Sequence, residues 1–335
     1  MNRENLRPSR GASSPVRGTV GALPGWVLAS LVLGCSTGHR GTGPSDDQPP
    51  NAADAAADAV ALSQDARVDA RADAGSASPF PGCRAVDVLF VIDNSGSMAD
   101  QQASLIASFD GFVTGMRERL ADTTSFHLGV VTTDSYRGNE AGCQDIGDLV
   151  TQTGGPDAAG QRCGPFASGA RYLSQSDDLS PAFRCIAQVG TGGDDDERAA
   201  RAVLNAIDPS RPCNVGFIRD DAVLVVVVIT DEDDVKDGCS DEGFGEQCES
   251  YGSGGRADDW LAELRRHRDP ESVVMMTLLG QRADNACGAV VAARLLGFAR
   301  RFNENGHVGD VCASSYDTFF RQALPIIGDA CVRLR

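Results

Sequence analysis

Residues 222–230 (AVLVVVVIT) form the most hydrophobic stretch of the chain outside its N-terminal segment. A run that is apolar along its whole length is typical of a strand buried on both faces of a parallel sheet. Shorter apolar runs at 86–92 (VDVLFVI), 126–132 (FHLGVVT) and 272–279 (SVVMMTLL) predict neighbouring strands. The chain must therefore cover both sides of a sheet, and this requirement constrains its fold more than any other feature.

Apolar residues at helical spacing lie between these strands. They predict helices over 98–120, 199–207, 256–268 and 289–303, and a last helix over 316–327 that is interrupted or ended near Pro325. This alternation predicts an α/β fold, a doubly wound, mostly parallel sheet with helices on both faces. Two Gly-, Asp- and Cys-rich insertions, at 134–178 and 232–255, follow the carboxyl ends of strands, the edge at which open α/β sheets bind ligands.

The N-terminal segment indicates export. Residues 1–34 have the arginine-rich start and apolar centre of a signal peptide, and the apolar part is shorter than the about 20 residues of a comfortable membrane span. A short membrane span is the alternative interpretation. The segment ends in VLGC at 32–35, which resembles the lipobox of bacterial lipoproteins, so Cys35 is the predicted lipid attachment site. The residue after Cys35 is Ser36 and not Asp, which resembles lipoproteins sent to the outer membrane of Gram-negative bacteria. The outer membrane is therefore the predicted location.

Residues 35–82 are predicted to be a disordered tether. Ala, Asp, Pro, Ser and Gly dominate the stretch 43–78, which leaves too little apolar surface to offset the entropy of ordering it. Periodic elements begin after Cys83, so the folded domain is predicted over 83–335.

The strand at 86–92 runs into Asp93, Asn94, Ser95, Gly96 and Ser97. One carboxylate and two hydroxyls would then lie together at the carboxyl edge of the sheet. Such hard oxygen donors suit Mg²⁺, which takes one or two carboxylates and keeps several waters. In the alternative interpretation, Ser97 or Asp100 only caps the following helix.

This D-x-S-x-S turn resembles the metal-ion-dependent adhesion site of von Willebrand factor type A (vWA) domains. Ile229, Thr230 and Asp231 resemble the end of the central strand in the same family. The resemblance extends over about residues 83–333 and implies a vWA/Rossmann-like fold. It also implies that Asp93, Ser95, Ser97 and Asp231 hold a metal, directly or through water. Mg²⁺ is the implied cofactor, with Mn²⁺ or Ca²⁺ as alternatives.

The chain departs from the family at the middle metal ligand, which is usually a Thr before the third major helix. Thr191 is the candidate of the same chemistry, and Glu197, closer to the following helix, is the alternative. Coordination by Glu197 would add a negative charge to the site and favour Ca²⁺ or Mn²⁺. In the alternative interpretation, the acidic residues 194–197 are only a solvated loop at the N-terminus of a helix. The acidic residues at 231–234 and 241–242 suggest either a second Ca²⁺ site or, preferably, another solvated loop.

Eleven cysteines are more than a reducing compartment usually tolerates without metal sites. Without Cys35 the number is even, as a disulfide framework requires. The disulfide candidates are Cys83, Cys143, Cys163, Cys185, Cys213, Cys239, Cys248, Cys287, Cys312 and Cys331. Their connectivity does not follow from sequence. The arrangement we favour pairs 83 with 331, 143 with 163, 239 with 248, 185 with 213 and 287 with 312.

The net charge of −17 argues against a nucleic-acid partner. We expect a lipid-anchored interaction module, not an enzyme, whose bound metal recognises an acidic side chain of a partner protein. One alternative is a structural component of an envelope or motility complex without metal-dependent binding. Another is a metal-dependent hydrolase, for which the sequence shows no P-loop and no evident base.

We expect Cys35→Ser to move the protein from the membrane fraction to the soluble fraction, because the substitution removes the sulfur that would carry the lipid. Detergent phase partitioning of the two proteins measures this shift. Ser36→Ala, one position further on, is the matched control and should stay with the membranes. Equal partitioning of Cys35→Ser and the wild type would contradict the lipid anchor.

Overall fold

The computed structural model describes residues 84–120, 123–234 and 251–334. The predicted signal peptide, the tether and the acidic positions 241–242 lie outside these ranges. The cysteines outside them are Cys35, Cys83, Cys239 and Cys248. Within the described ranges, no helix combines the length and the apolar character that crossing a membrane requires.

The described chain forms a six-stranded sheet of order β3-β2-β1-β4-β5-β6. All neighbouring strands are parallel except β3, which pairs antiparallel with β2. The strands are β1 (Ala85–Ile92), β2 (Ser125–Thr132), β3 (Leu173–Ser174), β4 (Val223–Ile229), β5 (Val273–Leu279) and β6 (Gly306–Asp310). The predicted fold class, a mostly parallel vWA/Rossmann-like α/β sheet, is confirmed. The two strands that the sequence pattern missed, β3 and β6, are the edge strands.

Six helices cover this sheet in the described ranges. They are α1 (Ala99–Arg119), α2 (Leu179–Ala187), α3 (Ala199–Ala206), α4 (Ala257–Leu264), α5 (Ala293–Arg300) and α6 (Asp317–Arg333). The short helix α2 was not predicted. The prediction that the last helix ends near Pro325 is wrong, because α6 continues to Arg333. Pro325 has no N–H to donate to the carbonyl of Arg321, but Arg321 is exposed, so water can take the place of that donor. The helix continues past the proline because it buries Ile327 and Ala330.

Two separate cores lie on the two faces of the sheet, as the alternation of side chains along each strand requires. Phe90 of β1 points into the first, against Phe109 of α1 and Phe183 of α2, whose rings stack at 3.6 Å. Its neighbour Leu89 points into the second, which contains Trp260 of α4. Every residue of β4 is buried, so the most hydrophobic run is the centre of the sheet.

Three disulfides join described residues: Cys143–Cys213, Cys163–Cys185 and Cys287–Cys312. Cys331 is disulfide-bonded as well. The predicted 287–312 pair is confirmed, whereas the predicted pairs 143–163 and 185–213 are wrong. The first insertion is not closed on itself; it is joined to α2 and to the segment after α3, because those elements bring the cysteine Cα atoms to 5.6 and 5.7 Å. Cys83 and both cysteines of the 239–248 pair lie outside the described residues, so the pairs 83–331 and 239–248 stay predictions.

The preferred interpretation of 231–234 as a solvated loop is wrong for Asp231, Asp233 and Asp234, which are all buried. Asp233 accepts the backbone N–H groups of Arg294 and Leu295 at 3.0 and 3.1 Å, at the start of α5. Asp234 accepts the N–H of Ala200 at 2.7 Å, at the start of α3, and the hydroxyl of Ser253 at 2.6 Å. Carboxylates after β4 therefore cap two helices on the second face.

We expect Asp234→Asn to lower the free energy of unfolding by about 3 kcal/mol, since an amide cannot accept all the hydrogen bonds that converge on this buried carboxylate. Chemical denaturation in EDTA measures the loss. Asp258→Asn is the control: its carboxylate is 79% exposed and pairs with Arg301, so the change should not be measurable. Equal stability of the two variants would contradict the capping role.

Candidate metal centre

The turn after β1 is fixed against the end of β4. The backbone N–H of Asp93 donates to the carbonyl of Ile229 at 3.0 Å. The Asp93 carboxylate is fully buried and accepts two hydrogen bonds at 2.7 Å, from the Ser95 N–H and from the Thr230 hydroxyl. The two predicted segments, although distant in sequence, therefore meet at one point of the carboxyl edge.

Four of the predicted ligands come together here. The Ser97 hydroxyl donates to the Asp231 carboxylate at 3.0 Å, and the hydroxyl oxygens of Ser95 and Ser97 are 3.4 Å apart. Asp93 and Asp231 are close enough for the charge of one to raise the pKa of the other. Two carboxylates and two hydroxyls thus surround one position at the mouth of the turn.

The observed hydrogen bonds do not support the helix-capping alternative. The N-cap residue of α1 is Met98, and no side chain caps that end. Ser97 instead donates to Asp231, and Asp100 is exposed in the first turn of the helix. Neither Ser97 nor Asp100 therefore acts as the N-cap of α1.

The two candidates for the middle ligand are placed differently. The Thr191 hydroxyl donates to the Asp157 carboxylate at 2.6 Å, on the exposed side of the loop. Glu197 is fully buried; its carboxylate lies beside the Thr133 hydroxyl and the Asp93 carboxylate, but neither of its oxygens makes a hydrogen bond of normal geometry. The Asp93 charge raises the pKa of Glu197, which places these two carboxylates beside each other. The structure therefore brings Glu197, and not Thr191, to the centre, because Thr191 is held by the first insertion.

The carboxyl groups of the centre have raised pKa values. Burial raises the pKa of Asp93 to about 6; hydrogen bonds from Thr230 and Ser95 oppose this rise, and the Asp231 charge adds to it. Burial, followed by the charges of Asp93 and Asp134, raises the pKa of Glu197 well above its usual value. Buried carboxylates without enough donors around them favour a cation among them.

A glutamine and a glycine, which sequence reasoning missed, hold the acidic loop against the turn. The Gln102 amide donates to the carbonyls of Asp93 and Gly190 at 3.0 and 2.8 Å, and it accepts the Gly190 N–H at 3.1 Å. The Gly193 N–H donates to the Asn94 carbonyl at 2.7 Å, and a Cβ on Gly193 would lie 2.6 Å from the Asn94 amide nitrogen. The adjacent glycines 192 and 193 were the available signal of such a close approach.

The residues of the centre fit a hard divalent cation. All side chains of the set offer oxygen, and the hydroxyl groups leave room for a metal that keeps waters. Among the described residues, no group of three or more His, Cys, Asp or Glu is arranged to hold a metal. A cation at this centre would therefore need the hydroxyls of Ser95 and Ser97 in addition to the two aspartates.

Comparison with known proteins gives little beyond the fold. No protein-family model and no curated protein matches the chain. Among solved structures, it is similar to two of proximal thread matrix protein 1 from the mussel byssus. The first, crystal form 2, has a TM-score of 0.41 and 12% identity and covers 75% of this chain and 49% of that chain. The second has a TM-score of 0.33 and 14% identity, with 74% and 47% covered. The chain spans about half the length of these neighbours, and so weak a likeness supports no statement about function.

We expect Glu197→Gln to stabilise the domain in EDTA by about 1–3 kcal/mol, because it removes a carboxyl group whose ionised form is disfavoured by burial and by the nearby charges of Asp93 and Asp134. With saturating Mg²⁺ or Ca²⁺ the wild type should become the more stable of the two proteins, since it gains the free energy of metal binding. Urea unfolding under both conditions measures the two differences. Glu304→Gln, with a side chain 90% exposed, is the control and should change neither. A loss of stability of Glu197→Gln in EDTA would contradict this view of Glu197.

Proposed function

We propose that this domain binds a partner protein through a divalent metal ion held by Asp93, Ser95, Ser97 and Asp231, with Glu197 in place of Thr191 as the middle ligand. Mg²⁺ is the proposed metal, with Mn²⁺ or Ca²⁺ as alternatives. The observation that carries the proposal is the convergence of two carboxylates and two hydroxyls from distant segments, joined by the bond from Ser97 to Asp231. With the sequence-based anchor at Cys35, the domain would act as an interaction module at the cell envelope.

The turn is buried on one side and open on the other, as a recognition site needs to be. Asp93 and Ser95 are buried, whereas Gly96 and Ser97 are exposed. A Cβ built on Gly96 would have no atom within 4 Å, so nothing in the described chain covers this side of the turn. A carboxylate of a partner could therefore reach the mouth of the centre from solvent.

The roles of the residues follow from these positions. Asp93 would supply the deepest negative charge, and Thr230 and the Ser95 N–H fix its orientation. Ser97 would leave its bond to Asp231 and turn its oxygen toward the metal. When bound, the cation would supply a positive charge with a free coordination position. On a chain of net charge −17, such a charge is what makes a partner carboxylate attractive.

We propose a binding role and not a catalytic one. The described histidines 127, 267 and 307 lie on or before the amino halves of the parallel strands β2, β5 and β6. The metal centre lies at the carboxyl ends of β1 and β4, which is the opposite edge. A histidine base is therefore absent from the centre as far as the described residues extend, and such a base is the commonest partner in hydrolysis.

We expect Asp93→Ala to abolish binding of Mg²⁺ and Mn²⁺ at this centre, because the remaining hydroxyls cannot replace its charge. Asp231→Ala should weaken binding less if that carboxylate acts through water. At a metal concentration 100 times the dissociation constant, metal binding stabilises the wild type by about 2.7 kcal/mol. Asp93→Ala should lose this stabilisation. Titration calorimetry with Mg²⁺, Mn²⁺ and Ca²⁺ measures the affinities, and thermal unfolding with and without EDTA measures the stability.

Asp100→Ala is the matched control for this experiment. It removes a carboxylate from the same segment of chain, but an exposed one that takes no part in the centre. Equal Mg²⁺ and Mn²⁺ affinity of Asp93→Ala and Asp100→Ala would refute the proposed centre. If a partner captured from envelope extract is retained equally in EDTA and by Asp93→Ala, the domain has a structural role without metal-dependent recognition.

A further inference from the structure

A second group of oxygen atoms without hydrogen-bond partners lies beside the proposed centre. The residues that carry them are Asn94, Thr133, Asp134 and Glu197, and their exposed fractions are 3, 0, 5 and 0%. The atoms are the Asn94 amide oxygen, the Thr133 hydroxyl, one Asp134 oxygen and both Glu197 oxygens. Buried polar atoms are nearly always paired in proteins, so five such oxygens in one place require an explanation.

The fold brings these residues together from three segments. In the parallel pair of β1 and β2, Ile92 is the register partner of Thr132. Two residues further on, Asn94 and Asp134 therefore leave neighbouring strand ends side by side. The side-chain amide nitrogen of Asn94 faces the Asp134 carboxylate, and a hydrogen bond from it lowers the pKa of this carboxyl, which burial raises.

The acidic loop lies across both strand ends. The Gly193 N–H donates to the Asn94 carbonyl at 2.7 Å, and the Asp194 N–H donates to the Asp134 carboxylate at 2.7 Å. The Arg198 N–H donates to the Thr133 carbonyl at 3.0 Å, which places Glu197 directly beside Thr133. The three segments are thus bonded to one another around the unpartnered oxygens.

The charges at this place do not balance. Burial raises the pKa values of both Asp134 and Glu197, the charge of Asp194 adds to the rise at Asp134, and the charges of Asp93 and Asp134 add to the rise at Glu197. Opposite them, Arg198 is the cation that lowers the pKa of Asp134. Two buried carboxylates, an amide oxygen and a hydroxyl make up an oxygen-only donor set with a surplus of negative charge.

We propose that Asn94, Thr133, Asp134 and Glu197 form a second divalent-cation site, suited to Ca²⁺, next to the centre at Asp93. Carboxylates mixed with neutral oxygens, the amide oxygen among them, are the ligands that Ca²⁺ takes, at coordination numbers of about 6–8 that water can complete. Asn94 and Asp134 also line an open groove of about 880 Å³, so an ion and its waters can enter from solvent.

This second site does not rest on the proposed function. Asp93, Ser95, Ser97 and Asp231 would hold one ion on the side of β4, and Asp134 and Thr133 would hold the other on the side of β2. Glu197 lies between Asp93 and Asp134, and its two free oxygens can serve both ions. An ion here would tie the acidic loop to both strand ends.

The test counts Ca²⁺ ions on the full mature chain in detergent, by equilibrium dialysis and titration calorimetry. Asp134→Asn should bind one Ca²⁺ fewer than the wild type. This variant is expected to fold, since an amide oxygen can still accept the Asp194 N–H. Thr133→Val should weaken Ca²⁺ binding about tenfold or more, the least cost of a lost metal contact.

Thr277→Val is the matched control. Thr277 is also a buried threonine whose hydroxyl has no partner, but it lies on β5, three strands away from β2. It should bind Ca²⁺ as the wild type does. An unchanged Ca²⁺ count in Asp134→Asn, or equal Ca²⁺ affinity of Thr133→Val and Thr277→Val, would overturn the second site.

Asp93→Ala separates the two proposals. It should keep the Ca²⁺ ion that Asp134→Asn loses. If Asp93→Ala binds every metal as the wild type does while Asp134→Asn loses an ion, the second site stands and the proposed function fails.

Discussion

The parallel pairing of β1 with β4 is the interaction on which the rest of this structure depends. Their register, with Ile92 opposite Ile229, sets Asp93 directly beside Thr230 and Asp231 at the carboxyl edge. The bonds from the Asp93 N–H to Ile229 and from the Thr230 hydroxyl to Asp93 continue this pairing past the strands. Because every residue of both strands is buried, a slip of the register would exchange the side chains of the two faces and require both cores to repack. A rigid sheet thus fixes the positions of the polar groups that follow it.

The carboxylates at this edge divide into two kinds, and the difference distinguishes scaffold from candidate site. Asp233 and Asp234 are buried with several donors each, and they cap helices. Glu197 is buried with none, and Asp134 has a donor at only one of its oxygens. The donors around Asp233 and Asp234 offset part of the cost of burying their charges, although burial still raises both pKa values, whereas a buried carboxylate with fewer donors gains more from a bound cation. The unpaired groups therefore mark where this domain is prepared for a ligand.

The rim around these groups is fixed by the first insertion and the acidic loop together. Disulfides at Cys143 and Cys163 fasten the insertion to the domain. Its residue Pro156 accepts the Thr191 N–H at 2.9 Å, and a Cβ on Gly190 would lie 2.2 Å from the Pro156 carbonyl oxygen. Gly190 and Gly193 let the loop pass between the insertion and the turn after β1. The loop is consequently held from both sides, and Glu197 at its end is directed inward.

Sequence alone determined the α/β class, the central strand and the D-x-S-x-S turn with its partner Asp231, because periodicity and short motifs are local properties of the chain. It did not determine the middle ligand, since Thr191 and Glu197 differ in what packs against them and not in their local pattern. It also misjudged two disulfides and the end of α6, where contacts distant in sequence decide which cysteines meet and whether Pro325 is tolerated. Only the tertiary structure showed that Asp234 caps a helix while Glu197 has no donor, because the number of donors around a buried carboxylate depends on every segment folded against it.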